Sequence, residues 1–175
     1  MSIKERYPNI IRILKVAFVL CAICVVIFVA TRLGFAEDQP TMAYVVCQPG
    51  DYVNARSTPH LHTDENIIGR YDSGDVIWVD GKTQNGFMHC VNASLEQDEC
   101  WVYVGYIVFD RPEWINGRTA TVVSNGRLAA RQNTCGKIRL WMNNGATIQV
   151  FWRTDEWCVT SCGFVMTEWL EVDGE

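Results

Sequence analysis

From Ala43 to Leu170 the apolar residues come in short runs of β-formers cut apart by turn residues, and no helical period joins them. Ala43 to Cys47 stops at Pro49-Gly50, and Tyr52 to Arg56 stops at Ser57-Thr58-Pro59. Ile67 to Tyr71 is followed by Asp72-Ser73-Gly74-Asp75, and Val76 to Val79 is closed by Asp80-Gly81. Gly86 to Val91 and Cys100 to Val104 complete the series, with a polar loop between them. Runs this short, rich in Val, Ile, Tyr, Phe and Trp, read as strands of a small barrel or sandwich. The segment from His60 to Asn66 is polar and aperiodic, and reads as an exposed loop.

The same order then recurs. After a connecting segment, residues 111–118, with Pro112 and Gly117 as breakers, come Ala120 to Val123, Asn125-Gly126 and Leu128 to Arg131. Ile138 to Met142, Asn143-Asn144-Gly145, Thr147 to Trp152, Glu156 to Val159, and Gly163 to Val165 with Trp169-Leu170 follow. Leu128-Ala129-Ala130-Arg131 echoes Val53-Asn54-Ala55-Arg56, and Gly145 echoes Gly74. The loop after the arginine is therefore shorter in the second unit. A diverged duplication has this form. An unrelated β-hairpin appendage is the alternative.

The motifs Val53-Asn54-Ala55-Arg56-Ser57-Thr58-Pro59, Ile68-Gly69-Arg70-Tyr71 with Gly74-Asp75-Val76, Gly86-Phe87, and Trp101-Val102 with Tyr106-Ile107 resemble the bacterial SH3 (SH3b) domain. The resemblance spans residues 43–110. Ala55, Thr58, Phe87 and Cys100 depart from the family's usual valine, glycine, tryptophan and glycine. In the second unit Gln132-Asn133 replaces the Ser-x-Pro turn. The implied fold class is all-β: two small SH3-like β-barrels in tandem, 43–110 and 119–175, after an N-terminal transmembrane or signal helix. The expected role of Val53 to Pro59 is to start the barrel and aim the loop that follows.

The helix is expected from the uncharged run Val16 to Thr31, flanked by Lys15 and Arg32 and extendable through Ala36. Its length falls between a signal-peptide core and a spanning helix. Residues 1–15 then read as a basic cytoplasmic segment, 16–36 as a signal anchor or signal peptide, and 37–42 as a spacer. The positive charges lie mainly before the run, which sends the body outward in either case. The body is a single-pass membrane protein's outer part, or is secreted after cleavage near Ala36. Cys21 and Cys24 read as small hydrophobes within this run.

Residues 1–36 carry a net charge of +4, so the whole-chain value of −5 leaves −9 for residues 37–175. An acidic body disfavours nucleic acid, whose binding draws on Lys and Arg displacing counterions.

Six cysteines remain downstream: Cys47, Cys90, Cys100, Cys135, Cys158 and Cys162. An even number after an export-like segment suggests up to three disulfides. A zinc site is the alternative, but no Cys-x2-Cys pair occurs outside the apolar run. Cys90 and Cys100 fall on consecutive strands, Cys158 and Cys162 on nearly the same strands of the second unit, and a Cys47–Cys135 pair would tie the units together.

His60, His62 and His89 sit in no recognisable catalytic context, and the hydrolase domain that often accompanies SH3b units is not expected within these 175 residues. No enzyme, cofactor or metal is expected. His60-x-His62 reads as a solvated loop more readily than as a metal site.

Trp78, Trp101, Phe87, Trp157 and Phe164 occupy positions the family packs into the barrel. Tyr52, His60, His62, Tyr71, Tyr103, Tyr106, Trp114, Trp141 and Trp152 are candidates for a ligand groove, since aromatic faces bind peptides and sugars without needing charge. The groove is expected between residues 60–66 and 85–99. The functional expectation is a non-catalytic binding protein for cell-wall peptide or glycan; the alternative is a protein-interaction subunit of an envelope complex.

Overall fold

Period-two burial decides which face of each strand turns inward. In β4 (Val76–Gln84) Ile77 and Val79 are buried while Val76 and Trp78 are exposed, so an apolar run that reads as wholly internal presents Trp78 to solvent. Trp78 stands outward opposite Met42 of β1 (Thr41–Val45), and both are 42 % exposed. The expected core position of Trp78 is thus corrected by the pleat. Phe87 and Phe164 are buried as expected, and Trp101 and Trp157 half-buried.

The structure is a computed structural model that describes residues 39–61, 63–91 and 98–174. The expected anchor, Cys21, Cys24 and His62 lie outside the described residues. Among those described, no helix is long and apolar enough to cross a membrane.

The described residues are all-β, apart from two single 3-10 turns. The first sheet contains β1, β2 (Val53–Arg56), β3 (Ile67–Tyr71), β4, β5 (Phe87–Val91), β6 (Glu99–Tyr103) and β7 (Ile107–Val108), in the order β3-β2-β6-β5-β4-β1-β7. The second contains β8 (Glu113–Val122), β9 (Arg127–Arg131), β10 (Ile138–Asn143), β11 (Thr147–Arg153), β12 (Trp157–Thr160), β13 (Gly163–Met166) and β14 (Leu170–Val172), in the order β10-β9-β13-β12-β11-β8-β14. Position by position the two orders are identical, and all neighbours are antiparallel.

The correspondence extends to individual bonds. The Gly74 amide donates to the Val45 carbonyl as Gly145 does to Val122, and Val46 donates to Tyr106 as Val123 does to Trp169. Arg56 stands opposite Trp101 as Arg131 stands opposite Phe164. Equal positions in the two sheets therefore follow from the ladders.

Two local features shape the strands. Asn85 (φ 52°) and Gly86 (φ 80°) turn β4 into β5, a two-residue reversal in which both residues take positive φ and whose twist suits a hairpin. Asn116 (φ 55°) and Gly117 (φ 69°) bend β8 without ending it. Residues 113–118, expected within the connecting segment, are the first half of β8, where Glu113 and Trp114 pair with Arg153 and Trp152.

Each sheet closes over its own core. Ala43, Val45, Ala55, Val79, Cys90 and Val102 fill the first, and Ala120, Val122, Ala130, Val150, Cys158 and Val165 the second. A third cluster joins the two sheets: Tyr44, Val46 and Val108 from the first meet Val159 and Phe164 from the second. Pro40–Glu175 is accordingly one compact unit.

Candidate functional site

A cleft of about 690 Å3 opens where the two sheets meet. Its floor comes from the first sheet: Tyr52 and Asn54 at β2, Phe87 at the start of β5, Tyr103 ending β6, and Tyr106 in the 3-10 turn Val104–Tyr106. The opposite wall is the loop Gln132–Lys137, which follows β9 in the second sheet. That loop occupies the place that residues 57–66 hold in the first sheet, and Leu61 from the longer loop also lines the cleft.

The floor is an aromatic chain. Tyr103 meets Phe87 edge-to-face at 5.5 Å, Tyr106 lies 6.2 Å from Tyr103, and Phe164 of the second sheet lies 6.2 Å beyond Tyr106. Ring separations of this size hold each face in place through its neighbours. At the other end the Arg70 guanidinium stacks 3.9 Å from the Tyr52 ring centroid.

The wall is fixed by its bonds to the 3-10 turn. The Thr134 amide and hydroxyl both donate to the Gly105 carbonyl, at 3.0 and 3.2 Å. Gly105 is buried against Asn133: a methyl group in place of its hydrogen would collide with Asn133 Oδ1 and stand 2.6 Å from its Cγ. Asn133 is itself buried, and its Oδ1 accepts from the Cys135 amide at 3.2 Å.

The loop on the first sheet is held by Arg56, 5 % exposed. Its guanidinium donates to the Thr63 carbonyl at 2.7 Å and to Asn66 Oδ1 at 2.6 Å, and Asn66 in turn donates to Thr58 and His60 carbonyls. Arg56 thus anchors the loop that follows its strand through both bonds of Nη1.

Of the expected groove residues, Tyr52, Tyr103 and Tyr106 line this cleft. His60 sits on the loop with Nδ1 3.3 Å from Asn85 Nδ2. Tyr71 is a correction: it is 4 % exposed inside the first core, with its hydroxyl 3.5 Å from Cys100 Sγ, because β3 turns it inward. Burial, followed by the contact with Cys100, pushes its pKa well above the usual tyrosine range. Trp114 and Trp152 pack on each other 4.9 Å apart, away from the cleft, and Trp152 covers Gly74. Trp141 is exposed on β10 beneath Arg127. Asn54, Gln132, Asn133 and Lys137 are cleft residues that sequence reading missed; the shortened loop after Arg131 was their one signal.

None of the expected disulfides is formed among the described residues. Cys90 and Cys100 are direct cross-strand partners in the first core. The hydrogen bond with Cys100, then burial, push the Cys90 thiol up. The corresponding pair in the second sheet is Thr160 and Gly163, joined by a hydrogen bond from the Thr160 hydroxyl to the Gly163 carbonyl at 2.8 Å. Cys158 stands opposite Val165 and Cys162 lies in the following turn, so register separates them. Cys47 is buried and donates to the Asp51 carbonyl at 3.3 Å, while Cys135 is exposed at the cleft. Burial raises the Cys47 pKa to about 11.

A polar cluster braces β4 against β5. His89 Nδ1 lies 2.9 Å from Asp80 Oδ2, its Nε2 lies 3.6 Å from Glu99 Oε2, and its ring packs 4.8 Å from Trp101. Lys82 reaches the same Asp80 oxygen at 2.6 Å. Burial opposes the Asp80 charge, but the hydrogen bonds from Lys82 and His89 outweigh it and hold the carboxyl at about 2. Among the described residues a carboxylate and no nucleophile lies at His89 Nε2, and no group of three or more His, Cys, Asp or Glu side chains is placed to hold a metal ion.

No family model matches the chain, and no curated protein matches it. Among solved structures it is similar to NlpC2 from Trichomonas vaginalis, at 13 % identity and a TM-score of 0.34 over 78 % of this chain and 49 % of that one. It is also similar to NlpC1 from the same organism, at 13 % identity and a TM-score of 0.33 over 79 % of this chain and 48 % of that one. The chain thus spans about half the length of the solved structures it matches.

Proposed function

We propose that this protein is an exported, membrane-anchored, non-catalytic binding protein whose two SH3-like barrels recognise cell-wall peptide or glycan in the cleft between them. The observation that carries the reading is the row of aromatic faces Tyr52, Tyr103 and Tyr106 lining one side of that cleft. Such faces take up flat or extended polymers through apolar contact, with polar side chains fixing orientation. His89, the only described histidine paired with carboxylates, is occupied in bracing two strands, which supports a role without catalysis.

Sedimentation of the full-length protein with purified peptidoglycan sacculi tests this. The protein is expected in the pellet, and a Tyr103→Ala, Tyr106→Ala double variant in the supernatant. A wild-type protein that stays wholly in the supernatant overturns the reading. A discrete protein adduct after crosslinking in intact membranes would favour a subunit of an envelope complex instead.

A further inference from the structure

The charges of the cleft run against those of the molecule. Residues 37–175 carry −9, yet among the described residues the charged side chains lining the cleft are Arg56 and Lys137, with no carboxylate beside them. The smaller hollow of about 340 Å3 on the far side of the Gln132–Lys137 loop has the opposite lining among the described residues, Asp110 and Glu156 with no cation. Acidic and basic groups are therefore sorted across one short loop.

The two cations do different work. Arg56 is committed to Thr63 and Asn66, and pairs at 4.0 Å with an Asp64 that is almost wholly in water. Lys137 is exposed, enters no ion pair among the described residues, and is held at the cleft edge by the bond from the Gln132 amide to its carbonyl. Its ammonium is the charge free to meet a ligand.

A second observation points to the rest of the ligand. Asn54, half-buried in the cleft floor, keeps Oδ1 out of water and without a hydrogen-bond partner among the described residues. A buried acceptor left unpaired is destabilising, and a turn of the amide brings it to an incoming donor. A peptide chain supplies both missing groups, an N–H for Asn54 and a carboxylate for Lys137.

From these features we infer that the cleft selects a peptide bearing a single free carboxylate, with Asn54 taking a peptide N–H and Lys137 the carboxylate. This rests on the wall-binding reading and narrows it from peptide or glycan to peptide. The surrounding negative charge repels a polyanion, whereas one carboxylate within a few ångströms of Lys137 is inside the Debye length of about 8 Å and feels mainly that cation.

Sacculi whose carboxylates have been converted to amides with carbodiimide and ammonia keep their glycan and peptide bonds and lose only the charge. The full-length protein is expected to bind untreated sacculi at least tenfold more tightly than amidated ones. Lys137→Gln should abolish that preference and Lys137→Arg restore it, while Asn54→Ala should weaken binding to both forms equally. Equal binding of wild type to both forms overturns the carboxylate inference and leaves wall binding standing. Undiminished binding to sacculi stripped of peptide overturns it in favour of glycan. Absence of binding to any form overturns the inference together with the function it rests on.

Discussion

Asp80 shows how much one side chain can carry in a sheet this small. It joins Lys82 and His89, and through His89 links β4 to β5. Its folded pKa of about 2 lies below the ordinary value of 3.8. A depressed carboxylate contributes its stability above the unfolded pKa and loses it as pH falls toward the folded one. Asp80→Asn should therefore lower stability near neutral pH by about 1–2 kcal/mol, a magnitude discounted for its partial exposure. The gap between variant and wild type should close as pH drops from about 4 to about 2. Thermal melts of both proteins across that range check it; a gap independent of pH would show that the carboxylate's charge is not what stabilises the strands.

Between elements, the decisive contact is the loop Gln132–Lys137 against the turn Val104–Tyr106. Gly105→Ala places a methyl where Asn133 already stands, which should cost about 1–3 kcal/mol and push the wall away from Tyr103 and Tyr106. Sacculus binding should fall with it. Adding Asn133→Ala removes the obstruction, so the double variant should be more stable than the sum of the two single losses allows. Denaturant unfolding of the four proteins measures that coupling. The strands themselves were legible because alternation is written locally, as in Leu128-Ala129-Ala130-Arg131, where the two apolar residues that face the core are two positions apart. Trp78 was misread because an unbroken apolar run hides its alternation. Residues 113–118 were misread because Gly117, taken as a breaker, bends β8 through a positive φ and lets it continue. The docking of Asn133 on Gly105 left no local trace, since it joins loops 28 positions apart through shape alone.

At the scale of the molecule, the two sheets are alike in topology and unlike in what their outer faces do. His89 and Trp101 on β5 and β6 correspond to Val159 and Phe164 on β12 and β13. The first pair sits among polar partners; the second is buried against Tyr44, Val46 and Val108. Phe164→Ala should cost about 3–5 kcal/mol, the range for emptying a buried aromatic site. It should also uncouple the halves: wild type should unfold in a single transition seen alike by fluorescence and circular dichroism, and the variant in two. Coincident single transitions in both would show that the shared cluster does not couple them. The repeat was readable from the order of motifs, but this division of labour was not, because it depends on which face each copy turns toward the other.

That division also sets a valency. In the second sheet the positions of Tyr52, Asn54 and Tyr103 hold Arg127, Ala129 and Met166, and its shortened loop serves as a wall of the neighbour's cleft. Two copies of the fold thus make one such cleft among the described residues, so under the proposed function a repetitive wall polymer would meet a monovalent reader. The 10²- to 10⁴-fold gain that linked equal sites bring is unavailable within one molecule. On that proposal, tight retention would come from many chains held side by side in one plane, each engaging its own segment.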